Sequence, residues 1–133
     1  MKRYMLDTNT VSHLIRSHPC VSLWITKVPI ASLCISAITG GELQFGVAKV
    51  PDAKRLRHAV EEFLRRVDKL PWDSTVMELY GKVRAQMARQ GNALGPLDML
   101  IAAHALATDS ILVSNDAAFG RVAGLTVEDW THS

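Results

Sequence analysis

Four acidic residues stand where the chain could do chemistry: Asp7, Glu42, Asp98 and Asp116. Asp7 directly follows a short apolar run, and Asp116 comes shortly after another. Glu42 and Asp98 each fall early in a stretch whose apolar residues have helical spacing. Carboxylates gathered in one place raise one another's pKa values unless a cation neutralises them. Hard oxygen ligands suit Mg²⁺ or Mn²⁺, so the four acids together predict a divalent-metal site.

A site of this kind is suited to the hydrolysis of phosphodiesters. A bound divalent cation activates water and stabilises the charge that develops on the phosphate. Each acid also has an ordinary explanation, because Asp7 can simply cap a helix. Asp98 in a first helical turn can be explained by the helix dipole, which is worth about 0.3 to 1 kcal/mol. Only the joint placement of the four acids favours the metal site.

Alternating strands and helices must position these acids. The apolar runs predict strands at 2–6, 33–36, 110–113 and 125–128, with a turn or short extended piece near Leu70. Helical spacing, caps and breakers predict helices at 8–16, 19–27, 37–50, 53–67, 76–90, 97–107 and 117–122. This alternation predicts an α/β fold with a mainly parallel sheet covered on both faces. Helices 53–67 and 76–90 are expected to form a hairpin in the middle of the chain. Since the carboxyl ends of parallel strands meet at one edge, all four acids are expected there.

Composition limits the class of protein. The 133 residues are expected to form one domain spanning 1–133. With 48% hydrophobic and 21% charged residues, the chain is typical of ordered globular proteins and not of disordered ones. No apolar run approaches the roughly 20 residues that span a bilayer, so a cytoplasmic location is expected. Cys20 and Cys34 lie in apolar surroundings, which favours buried thiols over a disulfide or a zinc site.

Basic residues are concentrated in segment 49–69, although the whole chain carries a formal net charge of only +2. This net charge is too small to indicate polyanion binding by itself. The ordinary interpretation of the segment is a solvated helix face. The functional interpretation is that four arginines attract RNA phosphates: Arg55, Arg57, Arg65 and Arg66.

The acids lie in motifs that resemble those of a known family. These motifs are LDTN at 6–9, GELQFG around Glu42, LDMLIAAHA around Asp98, and SND at 114–116 followed by Phe119. In this order and spacing they resemble the four acidic motifs of PIN-domain nucleases, and the whole chain is similar to the VapC toxins. The resemblance implies a three-layer α/β/α PIN-like fold with a helical hairpin insertion. It also implies Mg²⁺- or Mn²⁺-dependent endoribonuclease activity on structured RNA, such as a tRNA anticodon loop.

The same resemblance assigns roles to residues. Asp7, Glu42, Asp98 and Asp116 match the catalytic quartet, with Asp7 and Asp98 expected to contact the metal most directly. Glu42 and Asp116 would ligate a second ion or hold metal-bound waters. Thr8, Asn9 and Ser114 would orient these ligands by hydrogen bonds. Ser114 stands where the family often has threonine, and it keeps the hydroxyl. The expected partners are RNA, a cognate VapB-type antitoxin and a second copy of the chain.

Two other functions remain open from the residues. The carboxylates can serve a divalent site in a module that binds RNA or a partner without cutting, and only RNA cleavage separates this interpretation from a nuclease. A receiver-like phosphoacceptor domain also clusters acids around Mg²⁺ at strand ends. That class is disfavoured because it requires a lysine at a late strand end, where this sequence has none.

Overall fold

A parallel β-sheet forms the centre of the molecule in a computed structural model that describes residues 2–132. Its strands are β1 (Tyr4–Leu6), β2 (Leu33–Ser36), β3 (Asp68–Leu70), β4 (Ile111–Val113) and β5 (Val127–Glu128), in the order β3-β2-β1-β4-β5. The helices are α1 (Thr8–Ile15), α2 (Pro19–Thr26), α3 (Ala37–Ala48), α4 (Lys54–Arg66), α5 (Ser74–Arg89) and α6 (Pro96–Ala107). Short 3₁₀ turns occupy Ile30–Ser32 and Ala117–Arg121.

Side chains that alternate along the strands divide the core into two apolar layers. Met5, Cys34 and Leu112 face one layer, which α5 and α6 complete with residues such as Val83 and Ile101. Leu6, Ile35 and Val113 face the other layer, which α1, α2, α3 and α4 complete with residues such as Val11 and Phe63. The sheet is therefore covered on both faces, which confirms the three-layer α/β/α fold.

The expected hairpin of helices 53–67 and 76–90 is wrong. β3 lies between α4 and α5 in the chain, and the two helices contribute to different apolar layers on opposite faces of the sheet. The partner of α5 is α6, since Thr75 and Leu106 line one shared cleft and Tyr80 and Met99 line another. Helical spacing predicted each helix but could not predict the face on which it packs.

β3 was predicted only as a turn or short extended piece. It is a true strand, paired in parallel with β2 in a register that matches Cys34 with Asp68 and Ser36 with Leu70. Its residues Asp68 and Lys69 are exposed, so it lacks the apolar run that marks buried strands. As an edge strand it is defined by pairing with β2.

The carboxyl ends of β1, β2 and β4 form one edge of the sheet, which carries the predicted site. α1 begins directly after β1, α3 directly after β2, and the turn at 117–121 shortly after β4. α6 runs back toward the start of β4, so its first turn, with Asp98, lies toward the same edge. No helix within residues 2–132 is long and apolar enough to cross a membrane.

Candidate active site

Asp7 joins the end of β1 to the start of α1. Its side chain is 4% exposed, and Oδ1 accepts a hydrogen bond of 2.8 Å from the backbone N–H of Thr10. The ordinary role considered for Asp7, a helix cap, is therefore real. A cap at Oδ1 uses one oxygen of the carboxylate and leaves Oδ2 as the atom that can face a cation. The two roles are compatible in one residue.

Glu42 is held toward β1 by Thr8. Glu42 lies in the second turn of α3, and its Oε1 accepts a hydrogen bond of 2.7 Å from Thr8 Oγ1. Thr8 Oγ1 also lies 3.4 Å from the hydroxyl of the buried Thr39. Hydroxyl–carboxylate bonds of this length belong to the stronger class of protein hydrogen bonds. Thr8 therefore brings Glu42 beside Asp7, across 34 residues of sequence.

Asp98 is the residue that links all four acids electrostatically. It lies in the first turn of α6, half-buried, and its Oδ2 lies 3.5 Å from where a Cβ on Gly95 would stand. Burial raises the pKa of Asp98, and the charges of Asp116, Asp7 and Glu42 raise it further. The structure therefore brings the four predicted acids near enough to interact.

Asp116 is the most exposed of the four acids. It caps the 3₁₀ turn at 117–121, because its Oδ1 accepts a hydrogen bond of 2.9 Å from the N–H of Ala118. The buried Ser114 accepts a hydrogen bond of 3.0 Å from the backbone N–H of Asp116. Ser114 thus fixes the backbone that carries this carboxylate, rather than the carboxylate itself. Asn9 is exposed in the first turn of α1, beside these groups.

The four carboxylates interact without forming a closed ligand set. Within residues 2–132, no three His, Cys, Asp or Glu side chains are placed close enough together to hold an ion directly. The donor chemistry nevertheless fits a hydrated divalent cation. Mg²⁺ is usually held by only one or two carboxylates and keeps several of its waters. Mutual repulsion among these acids would favour such a cation.

Sequence reasoning missed residues that support the acids from beneath. Thr10 Oγ1 donates a hydrogen bond of 2.9 Å to the carbonyl of Val113 and so ties α1 to the end of β4. Ser36 caps α3 by accepting from the N–H of Ile38, and its hydroxyl lies 2.7 Å from His104 Nδ1. This contact joins the helix of Glu42 to the helix of Asp98. In the sequence Ser36 looks like any other helix cap, because its distinguishing partner, His104, lies 68 residues away.

His104 on α6 is a core histidine. Its side chain is 0% exposed, and Nε2 is buried with no hydrogen-bond partner among the described residues. Burial lowers the pKa of His104. The charge of Asp73 and the nearby Pro71 carbonyl oppose this shift, but neither group makes a well-aligned hydrogen bond with Nε2. The neutral ring therefore suits this position.

The structure separates two of the four predicted RNA-binding arginines from the acids. Arg65 and Arg66 end α4, just before the first residue of β3, and so lie at the amino edge of the sheet. Both pair with Glu62, at 2.9 and 3.6 Å. Arg57 Nη1 donates to the Pro51 carbonyl at 3.4 Å, and Arg55 is exposed near the start of α4. Contact of these arginines with RNA stays a prediction.

An apolar groove runs between the early helices and α4. It has a volume of about 460 Å³, and its lining includes Leu14, Ile25, Ile30 and Phe63. Trp24 on α2 does not line it. The Trp24 ring stacks on the buried ring of Trp130 at 5.8 Å, and its indole N–H donates to the carbonyl of His132. Trp24 therefore belongs to the margin of the core.

The chain is similar to PIN-domain proteins over nearly its whole length. The sequence profile of the PIN domain matches residues 4–125. A protein of Shigella flexneri named tRNA(fMet)-specific endonuclease VapC is 36% identical over 98% of this chain and 100% of its own. The VapC2 ribonuclease of Haemophilus influenzae is 36% identical over 98% of this chain and 99% of its own.

Solved structures agree with the sequence comparison. The DNA-bound VapBC of Salmonella typhimurium superposes with a TM-score of 0.90 at 35% identity, over 98% of this chain and 99% of that one. VapBC2 of Rickettsia felis, bound to a DNA fragment from its promoter, gives a TM-score of 0.87 at 31% identity, over 96% of this chain and 98% of that one.

Proposed function

Because this chain belongs to the PIN-domain family, among its VapC ribonucleases, we propose that it is a divalent-metal-dependent endoribonuclease toxin that cuts structured RNA. One observation carries the proposal. Asp98 has its pKa raised both by burial and by three other carboxylates, which come from three separate elements at one edge of the sheet. A fold gains nothing in stability from gathering four like charges, so the arrangement points to function.

The chain's own residues divide the work. Asp7 and Asp98 would hold the cation, which when bound activates water and stabilises the phosphate charge. Glu42, oriented by Thr8, and Asp116, on the backbone fixed by Ser114, would hold and orient water at the site. Asn9, exposed at the start of α1, is placed to hydrogen-bond the RNA or the water near Asp7.

The proposed substrate is structured RNA with an accessible loop. A tRNA anticodon loop is the first candidate, because the Shigella flexneri relative is named a tRNA(fMet)-specific endonuclease. Sequence-specific recognition of RNA generally targets unpaired bases in loops, which agrees with an exposed site at a sheet edge.

The proposed partner is a VapB-type antitoxin, since the similar structures are VapBC complexes. The groove between the early helices and α4 is the surface we assign to it. Ile30, which lines this groove, is 57% exposed, and Leu23, on the neighbouring helix α2 but outside the lining, is 52% exposed. Exposed apolar side chains around a groove suit the apolar face of a partner segment. A pair of toxin chains completes the proposed assembly.

Cleavage of RNA decides between this proposal and a module that only binds. Purified protein would be incubated with total RNA in Mn²⁺, and new RNA ends would be mapped by sequencing. The wild type should produce discrete new ends that disappear with chelator and with Asp98→Asn. If RNA and Mn²⁺ both bind but no new ends appear, the binding-module interpretation is correct. The control is Met77→Ala, which changes a side chain on α5 that is 60% exposed.

A further inference from the structure

A small pocket lies beside the first turn of α6. It has a volume of about 260 Å³ and lies between α5, the loop 90–95 and α6. Pro96 and Met99 line it, and they flank Asp98 in the chain. The loop residue Gly95 packs against the Asp98 carboxylate. The pocket and the acids therefore share one helical turn as a common wall.

The pocket combines an aromatic ring with polar groups. Tyr80 from α5 lines it, with Arg84 and Asn92 as its other polar members. Arg84 Nη1 donates a hydrogen bond of 2.7 Å to the Tyr80 hydroxyl. The Trp72 and Tyr80 rings form a T-shaped pair with their centroids 5.8 Å apart, and the Trp72 indole N–H donates to the carbonyl of Leu100. The Tyr80 hydroxyl is thus held by Arg84, and the Tyr80 ring is supported by Trp72.

Arg84 is the charged residue among those that line the pocket, and its guanidinium is cationic. The pocket is slightly smaller than the roughly 300 Å³ at which sites for drug-sized molecules begin, so it suits a single planar ring. Aromatic side chains, arginine planes and amides are the groups that recognise unpaired RNA bases, by stacking and by hydrogen bonds to base edges.

We propose that this pocket binds one unpaired nucleobase of the RNA substrate, next to the phosphate held at the four acids. The proposal rests on the proposed nuclease function and adds to it a specificity site. The base stacks against Tyr80 or the Arg84 guanidinium, and Asn92 hydrogen-bonds its edge. Because the pocket adjoins Asp98, a base held there places the neighbouring phosphate at the carboxylates. The pocket therefore selects which phosphate is cut.

The test measures binding separately from cleavage. Asp98→Asn protein would be the common background, since it should not cut. The probe is a short polyuridine RNA with one 2-aminopurine, whose fluorescence falls when the base stacks on an aromatic ring. Its partner probe has an abasic site at that position. Alanine replacement of a base-stacking side chain is worth about 1 to 3 kcal/mol, so Tyr80→Ala should weaken binding of the base-containing RNA by about 5- to 150-fold. Tyr80→Ala should leave the affinity for the abasic RNA unchanged.

Two further variants keep the test informative if Tyr80→Ala folds poorly. Ala88→Trp places a ring in the pocket from an exposed helical position and should also abolish the fluorescence change. Arg84→Ala removes an exposed guanidinium and should weaken base-dependent binding less than Tyr80→Ala does. Met77→Ala on the same helix is the matched control and should bind both probes as the background protein does.

The outcomes distinguish the pocket from the nuclease function. If the pocket variants Tyr80→Ala, Ala88→Trp and Arg84→Ala lose affinity equally for both probes, or lose none, the nucleobase site is wrong even when the wild type cuts RNA. The nucleobase site is also wrong if the pocket variants keep their affinity for both RNA probes and lose only binding to a co-expressed antitoxin, because the occupant of the pocket is then a peptide side chain. If the base-dependent loss appears and the wild type cuts no RNA, the pocket stands and the nuclease proposal fails. In the active protein, Tyr80→Ala should raise KM and relax the base preference beside the cut, with kcat little changed.

Discussion

Replacing Thr8 by valine tests whether the carboxylates are positioned by hydrogen bonds. Valine has the shape of threonine but lacks the hydroxyl that donates to Glu42 Oε1 at 2.7 Å. Hydrogen bonds to charged groups contribute about 1.5 to 3 kcal/mol. Both side chains here are only half-buried, so water can partly replace the lost donor. We therefore expect the free energy of unfolding to fall by about 1.5 kcal/mol at most.

The effect on catalysis should be larger than the effect on stability. Without Thr8 Oγ1 the Glu42 carboxylate can rotate away from Asp7. Loss of a partner that orients a metal ligand typically costs about 10- to 100-fold in activity or metal affinity. Thr8→Val should therefore lower the cleavage rate and the Mn²⁺ affinity by about that factor. Thr8→Ser keeps the hydroxyl and should retain most of both.

The assay combines RNA cleavage, calorimetric titration of Mn²⁺ and urea unfolding. Thr26→Val is the matched control, because it removes a hydroxyl that donates to the Leu23 carbonyl at 2.7 Å on α2, away from the acids. A double-mutant cycle of Thr8→Val with Glu42→Ala should show a coupling of about 1 kcal/mol. A coupling near zero together with wild-type cleavage by Thr8→Val would refute the positioning role of Thr8.

The remaining predictions concern charge, pH and partner. Asp98→Asn should abolish cleavage yet stabilise the metal-free protein at neutral pH, because burial and the other acids raise the folded-state pKa of Asp98. This gain in the free energy of unfolding, measured with urea, should vanish below about pH 4, where the carboxyl of the wild type is protonated in the folded and the unfolded state. The wild type should lose stability as pH falls below about 6.5, since burial lowers the folded-state pKa of His104 and the unfolded state binds the proton first. The free energy of unfolding should fall by at most about 1.4 kcal/mol per pH unit. His104→Asn should show a shallower dependence on pH, and an unchanged one would contradict this role of His104. If the antitoxin inhibits by sending an arginine into the carboxylates, Mn²⁺ affinity should fall in the complex, whereas a remote steric block would leave it unchanged. RNA binding should weaken steeply with salt, and equal cleavage of tRNA and unstructured RNA would contradict the substrate proposed above.

The sequence by itself was sufficient to predict the buried strands and the acids that follow them. An apolar run such as LCIS at 33–36 can be satisfied only by burial on both faces, and the structure has β2 at those residues. Asp7 is predictable for a related reason: a carboxylate directly after a buried strand must lie at the end of the sheet. The family's motifs identified all four acids, and the structure brings them within electrostatic reach of one another.

Tertiary structure alone decided the features that depend on partners distant in sequence. β3 exists because the exposed residues Asp68 and Lys69 pair with β2, which no local pattern encodes. The apolar stripe of α5 has the same spacing whichever helix it meets, so only packing shows that α6 is its neighbour and that α4 lies across the sheet. The contact of Ser36 with His104 likewise spans 68 residues. Periodicity records that a residue is buried, while its partner is set by how the layers come together.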